Sequence, residues 1–252
     1  MGNTVVRRTG VRVAAALLVV LSSVTACGGG SGHGRGEDAT SEADSERSAS
    51  RTPETLLSAP DLERVAVTGK DLAGYEVNPE PARAAASHRK VAPASCGPIP
   101  MAMALNSPYP ATTRIARLFS AKDHSPGVSM SLSSFSAEDG KRVVDAVRTA
   151  AKECRTFYDA FTDFQYSSVE VRPDPGYGDE SVSLRFIQIL PAVGKEVAPV
   201  KVPQAVVVVR KGTAVLMFHS FNNPSRRKGP AGVPDAVVKG QMEKLGDLGK
   251  SG

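Results

Sequence analysis

The stretch QAVVVVRKGTAVLMFHSFN, residues 204–222, restricts what this chain can fold into more than any other. Two apolar, β-branched runs flank Arg210-Lys211-Gly212-Thr213, and Gly212 is free to take the positive φ of a tight turn. Runs joined in this way form an antiparallel hairpin. Neither run alternates apolar with polar residues, so both faces of the hairpin are expected to be covered.

Other segments supply further strands. Residues 161–171 and 181–190 carry strand patterns and are joined by the turn-rich RPDPGYGDE. Residues 113–121 and 127–135 make another pair around HSPG. Strands that follow one another through short turns pair antiparallel. Helix signals appear three times. PIPMAMAL, residues 98–105, is a short apolar segment after Cys96. Ser136-Ala137-Glu138-Asp139 has the form of a capping box, with Asp139 where Glu is commoner. Behind it Val144, Val147, Ala151 and Cys154 recur at spacings of three and four, on one helix face. Pro234 suits a first helical position, followed by Val238, Met242 and Leu245 at helical spacing. The fold class expected is α+β: a mostly antiparallel sheet of about five to seven strands, with helices packed against it and the helix over about 137–154 crossing it.

The first residues address the chain rather than fold it. Arg7, Arg8 and Arg12 precede an apolar run over 13–21 with no acidic residue nearby. That run is short of the roughly 20 apolar residues a membrane span needs. A basic head, a short apolar centre and small residues at its end make a secretory signal peptide. Val24-Thr25-Ala26-Cys27 has the shape of a bacterial lipobox, in which the Cys27 thiol receives diacylglycerol and a peptidase cuts before it. Residues 1–26 are thus expected to be a lipoprotein signal peptide and Cys27 the lipidated residue. The competing reading is an ordinary secreted protein with a cysteine there by accident. Met1-Gly2 does not make an N-myristoylation signal, because Val6 stands where Ser or Thr is required. From Gly28 to Thr52 there is no large apolar residue. Such a chain cannot bury enough surface to offset its ordering entropy. Residues 27–52 therefore read as a disordered polar tether with an r.m.s. reach of roughly 25–30 Å. Residues 53–252 remain as one extracytoplasmic domain of ordinary size.

Charge excludes one class of partner. The formal net charge is +5, but without the three signal arginines the chain carries 28 basic and 26 acidic residues. Nucleic-acid binding calls for a concentrated basic stripe, which is not seen. Arg226-Arg227-Lys228, between Pro224 and Gly229-Pro230, reads as a solvated turn rather than an anion site. Of three cysteines, lipidation of Cys27 leaves Cys96 and Cys154, an even pair in an oxidising compartment, and a disulfide is the default. It would close a loop of about 58 residues, worth roughly 4 kcal/mol in the chain-entropy account. There is no CxxC, and no histidine stands near either cysteine in sequence.

Catalytic signatures are sparse. No GxSxG elbow is present, and His33, His88, His124 and His219 make no metal-ligand spacing. His219 lies in an apolar strand and reads as a hydrogen-bonded core histidine. GYGDE, residues 176–180, has no Walker or dinucleotide pattern. Asp174, Asp179 and Glu180 offer carboxylates to a cation, and turn chemistry accounts for the same three. No cofactor, metal or catalysis is expected. One strand offers a weak candidate site. Val128, Met130 and Leu132 alternate with Ser129, Ser131 and Ser133. The serine row reads either as the solvent face of a sheet or as one wall of a polar, ligand-binding cleft.

The order of features resembles a known family. A lipobox and a polar tether are followed by DLAGYEV (71–77) and a cysteine opening a short helix at Cys96-Gly97-Pro98-Ile99-Pro100. A strand pair comes next, then a helix ending in KECRTF (152–157), GYGDES (176–181) and the terminal hairpin. Over most of residues 55–248 this is similar to the PknH-like extracellular sensor domains, which occur on actinobacterial membrane Ser/Thr kinases and on free-standing lipoproteins. The resemblance implies an α+β domain with an antiparallel sheet and a cleft proposed to bind a small ligand. The kinase sensor has two disulfides, whereas this chain can make one. The family supplies no agreed ligand residues, so none is carried over. The expectation is a lipoprotein at the outer face of the cytoplasmic membrane, held there by its lipid anchor, with a ligand-binding or sensor-like domain. The alternatives are an envelope protein-interaction scaffold and, further off, a hydrolase. The partner is an unknown small ligand or envelope protein.

Overall fold

The computed structural model describes residues 55–82, 89–122, 127–192, 198–226 and 228–246. These all fall within the unit Ser50–Gly252. The signal peptide, Cys27, the tether, His33, His88, His124 and Arg227 lie outside the described residues.

In chain order the elements are α1 (Ala59–Val65), β1 (Tyr75–Glu80), β2 (Val91–Ala92), a 3-10 turn at Ala94–Cys96, α2 (Pro98–Met103), β3 (Thr113–Ala121) and β4 (Val128–Ser134). They continue with α3 (Ala137–Glu153), β5 (Phe157–Asp159), β6 (Phe164–Val171), β7 (Glu180–Leu190), β8 (Val200–Lys211), β9 (Ala214–Phe221) and α4 (Asp235–Gly246). The described strands form one sheet in the order β1-β3-β4-β9-β8-β7-β6-β5-β2. Every neighbouring pair is antiparallel.

The class is α+β, but the sheet has nine strands rather than five to seven. The three additional strands were hidden in the sequence for two reasons. β2 and β5 are two and three residues long, too short to show a period. β1 carries Pro79, which breaks a strand pattern in sequence yet is tolerated on an edge strand such as this one. The first helix also escaped the sequence reading. It begins with a full capping box: Ser58 Oγ accepts from Asp61 N, and Asp61 Oδ2 accepts from Ser58 N at 3.0 Å.

The hairpin forms as its sequence dictates. Lys211 pairs with Ala214, so Gly212-Thr213 is a two-residue loop, and Gly212 takes φ 58 at the first central position, the signature of a II′ turn. The VVVV run is buried on both sides. Val206 and Val208 point into one cluster with Val182, Leu184, Phe186, Val215 and Met217, beneath Ile99 and Ala102 of α2 and Val144, Val147 and Ala151 of α3. Val207 and Val209 point the other way, joining Met130, Leu132, Leu216 and Phe218 beneath Leu62 of α1 and Val237, Val238 and Leu245 of α4. The result is three layers, helix–sheet–helix.

α3 is capped by Ser136, whose hydroxyl accepts from Asp139 N at 3.1 Å, and it ends at Cys154. Cys154 is bonded to Cys96, with Cα atoms 5.8 Å apart, and both are buried. The bond joins the start of α2 to the end of α3, on the same side of the sheet.

Candidate functional site

The side of the sheet that α2 and α3 cover does not stay apolar along its whole length. β7 and β8 are the longest strands, and their register carries the same face past the buried cluster: Phe186 lies opposite Gln204, and Gln188 opposite Val202. On the flanks Tyr166 of β6 lies opposite Gln188, and His219 of β9 opposite Val206. Directly opposed residues share a face. A cleft of about 490 Å³ opens there, with Tyr166, Gln188, Gln204 and His219 in its floor. Met103, Leu190, Val200, Val202 and Phe221 give it apolar walls, and Thr162 and the 223–225 turn close its ends.

The floor is a line of neutral hydrogen bonds. Gln204 Nε2 donates to Gln188 Oε1 at 2.8 Å. Gln204 Oε1 lies 2.8 Å from His219 Nε2 and, as an acceptor, requires the proton to be on that nitrogen. His219 is hydrogen-bonded, as its sequence context suggests, but it is half-buried in a cleft rather than sealed in the core.

At the other end Tyr166 is 1% exposed, and its hydroxyl has no hydrogen-bond partner. Its ring is fixed by stacking on Phe157 at 4.6 Å and by an edge contact with Phe186 at 5.9 Å. Burial, above all, raises the phenol's pKa from its ordinary value. The group is therefore a neutral O–H at physiological pH. Thr162 itself is turned away, since its hydroxyl donates to Asp159 Oδ2 at 3.0 Å.

Behind Thr162 lies a buried ion pair. Arg89 and Asp159 are 4% and 0% exposed, and Arg89 Nε donates to Asp159 Oδ2 at 2.8 Å. Arg89 Nη1 also donates to the Pro100 carbonyl at 2.9 Å, and the Phe161 N–H donates to Asp159 Oδ1 at 3.1 Å. This pair is saturated by its own partners and anchors the β5–β6 turn to α2. It brings no net charge to the cleft.

The serine row lies elsewhere on this face. Ser131 is buried and its hydroxyl donates to the Leu105 carbonyl at 3.1 Å. Ser133 is buried and accepts from Arg114 Nε at 3.0 Å. Ser129 is half-buried opposite His219. None of the three is in the cleft lining. The row is neither a free solvent face nor a wall of the cleft, because the chain leaving α2 crosses over it. The GYGDE carboxylates are held within the fold. Asp174 accepts from Gly176 N at 2.9 Å and from the Ser181 hydroxyl, which lowers its pKa. Asp179 accepts from Gly212 N at 2.7 Å, and Glu180 pairs with Arg210. Gly178 is required there: φ is +65 and a Cβ would meet the Arg210 carbonyl at 2.3 Å. Among the described residues no group of three or more His, Cys, Asp or Glu is placed to hold a metal. Arg226 lies exposed in a turn closed by its N–H to the Asn223 carbonyl at 3.0 Å.

The extracellular domain of PknH from Mycobacterium tuberculosis superposes on 79% of this chain and on 100% of its own length, with a TM-score of 0.51 at 10% sequence identity. This chain has the fold of the PknH extracellular domain. An uncharacterised protein from Mycobacterium smegmatis, the Rv0999 ortholog, aligns over 74% of this chain and 93% of its own, with a TM-score of 0.34 and 12% identity. No family model and no curated protein sequence matches the chain. At 10% identity it is the three-dimensional arrangement that carries the likeness to PknH.

The cleft residues Tyr166, Gln188 and Gln204 escaped the sequence reading. A signal was present: Gln188 and Gln204 are lone polar intrusions in FIQIL and PQAVVVV. A polar residue on a covered strand face needs a partner, and here the partners are each other and His219.

Proposed function

We propose that this chain is an extracytoplasmic lipoprotein, anchored through Cys27 at the outer face of the cytoplasmic membrane, whose domain binds a small ligand in the cleft between Tyr166 and His219. The observation that carries the reading is the cleft: about 490 Å³, apolar walls, a short line of neutral hydrogen bonds and one buried hydroxyl without a partner. Small-molecule sites have this composition and fall in the range of roughly 300–1,000 Å³. The lipobox and the Cys96–Cys154 bond support the compartment. The PknH neighbour is an extracellular domain, which agrees with it. Binding rather than catalysis is favoured because His219 Nε2 faces an amide oxygen and not a nucleophile.

Native mass spectrometry of the protein purified from its own host tests the binding reading: a co-purifying small molecule is expected, and an empty protein at every preparation contradicts it. Anchoring is tested separately. Cys27→Ala is expected to release the protein or leave it unprocessed; normal processing and retention in the membrane fraction would overturn the lipoprotein reading. Stable anchoring needs two acyl chains or an equivalent second signal.

A second reading, an envelope protein-interaction scaffold, is favoured by one observation. Phe161 and Phe221 are 71% and 51% exposed, beside or at the mouth of the cleft. Exposed apolar residues grouped in this way also mark protein contacts. Substituting Phe161→Ser without loss of ligand separates the two uses.

A further inference from the structure

The direction of the hydrogen bonds in the cleft specifies what the ligand must bring. We propose that it is an uncharged amphiphile: an apolar chain or ring carrying a hydrogen-bond acceptor such as an ester, amide or ketone carbonyl. The inference rests on reading the cleft as a ligand site.

The line has a polarity. His219 donates to Gln204, and Gln204 donates to Gln188, so each carboxamide oxygen in the line already accepts one hydrogen bond. What is left over is the Gln188 amide nitrogen, which makes no hydrogen bond among the described residues and has two protons to give. Opposite it in the strand register is Tyr166, whose buried hydroxyl is also without a partner. The polar end of the cleft therefore presents two donors, the Gln188 amide and the Tyr166 hydroxyl, that have no acceptor among the described residues. A buried donor left unsatisfied is costly, and a ligand oxygen placed between these two groups would relieve it.

Charge is excluded on the other side of the argument. Among the described residues that line the cleft, the Tyr166 phenol and the His219 imidazole are the ionisable groups. Arg89 and Asp159, the charged pair behind Thr162, neutralise one another. A carboxylate or ammonium entering the site would lose its hydration and find no fixed charge of opposite sign among the described lining residues to replace it. The rest of the wall, Leu190, Val200, Val202 and Phe221, suits the apolar part of the ligand.

The test uses isothermal titration calorimetry of the purified protein with methyl decanoate, decanoate, decylamine and decane, probes that share an apolar chain and differ in the head. Methyl decanoate is expected to bind most tightly, with about fivefold advantage over decane from one neutral hydrogen bond. Tyr166→Phe is expected to remove that advantage for methyl decanoate, leave decane unchanged and raise the melting temperature of the empty protein, because the unpartnered hydroxyl is gone. Gln188→Met, similar in shape but without the donor, is expected to weaken methyl decanoate in the same way. Tighter binding of decanoate or decylamine, or unchanged methyl decanoate affinity in both variants, overturns the proposal while leaving a ligand site in place. Failure of every probe to bind, decane included, overturns the ligand-site reading itself.

Discussion

The two ends of one sheet face differ more than its two faces do. At one end Val206, Val208, Leu184 and Met217 are sealed in an apolar cluster beneath α2 and α3. Two to four residues further along the same strands, Gln204, Gln188 and His219 form a polar line in an open cleft. Strand alternation sets which face a residue joins, but whether that stretch is closed or open depends on where the covering helices stop. The closed end is built for stability and the open end for contact, so substitutions at the two ends should separate stability from binding.

The largest stability effect is expected where α2 is tied to α3. The double variant Cys96→Ala, Cys154→Ala should lose about 4 kcal/mol of unfolding free energy in denaturant titration under non-reducing conditions. Reducing agent should bring the parent toward the variant. Next comes the closed end itself. Leu184 is fully buried, and Leu184→Ala should cost about 3 kcal/mol through lost transfer energy and a cavity, with little effect on ligand binding.

Gln204→Leu reverses this pattern. Gln188 and His219 are half-buried, so cleft water can replace the lost bonds, and stability should change by less than about 1 kcal/mol. Methyl decanoate affinity should fall roughly fivefold, because the Gln188 amide is no longer held in place. Similar stability losses in Leu184→Ala and Gln204→Leu would erase the distinction between the two ends.

The smallest effect lies away from both, at Asp71 in the DLAGYEV segment. Its carboxylate accepts from Lys244 Nζ at 2.6 Å and from Thr68 N at 2.8 Å and Oγ1 at 2.6 Å, which lower its pKa from 3.8 to about 2. A depressed folded-state pKa means that the unfolded chain takes up the proton first as pH falls. The contribution is therefore fully present above about pH 4 and is lost between there and about pH 2. Because the site is exposed, it is worth less than about 1 kcal/mol. Asp71→Asn should remove that acid-limb dependence and leave the cleft unaffected.

The elements legible in the sequence were those whose signal is periodic or local. The 204–222 hairpin, β3, β4, β6, β7 and α3 announce themselves by apolar runs, turn residues or a cap. The Cys96–Cys154 bond followed from the parity of cysteines and the helix face of Cys154. What escaped was set by tertiary context. β2 and β5 are strands only because they pair with each other and with β6. The cleft was invisible because its members lie on four strands at separations of 15 residues or more, and no local pattern links Tyr166 to Gln188, Gln204 and His219. Ser129, Ser131 and Ser133 show the converse: a regular alternation gave the right face, and the chain around Leu105 decided that its hydroxyls serve the fold.

The central claim is that the open end of this face takes a ligand and the closed end does not. A side-chain NMR titration of the protein with methyl decanoate addresses it directly, following the amide groups of Gln188 and Gln204, the imidazole of His219 and the methyls of Val206 and Leu184. The account predicts saturable shifts at Gln188, Gln204 and His219 with the Leu184 methyls nearly still. Shifts confined to the Phe161 surface, or none at the three polar residues at saturating probe, would contradict it.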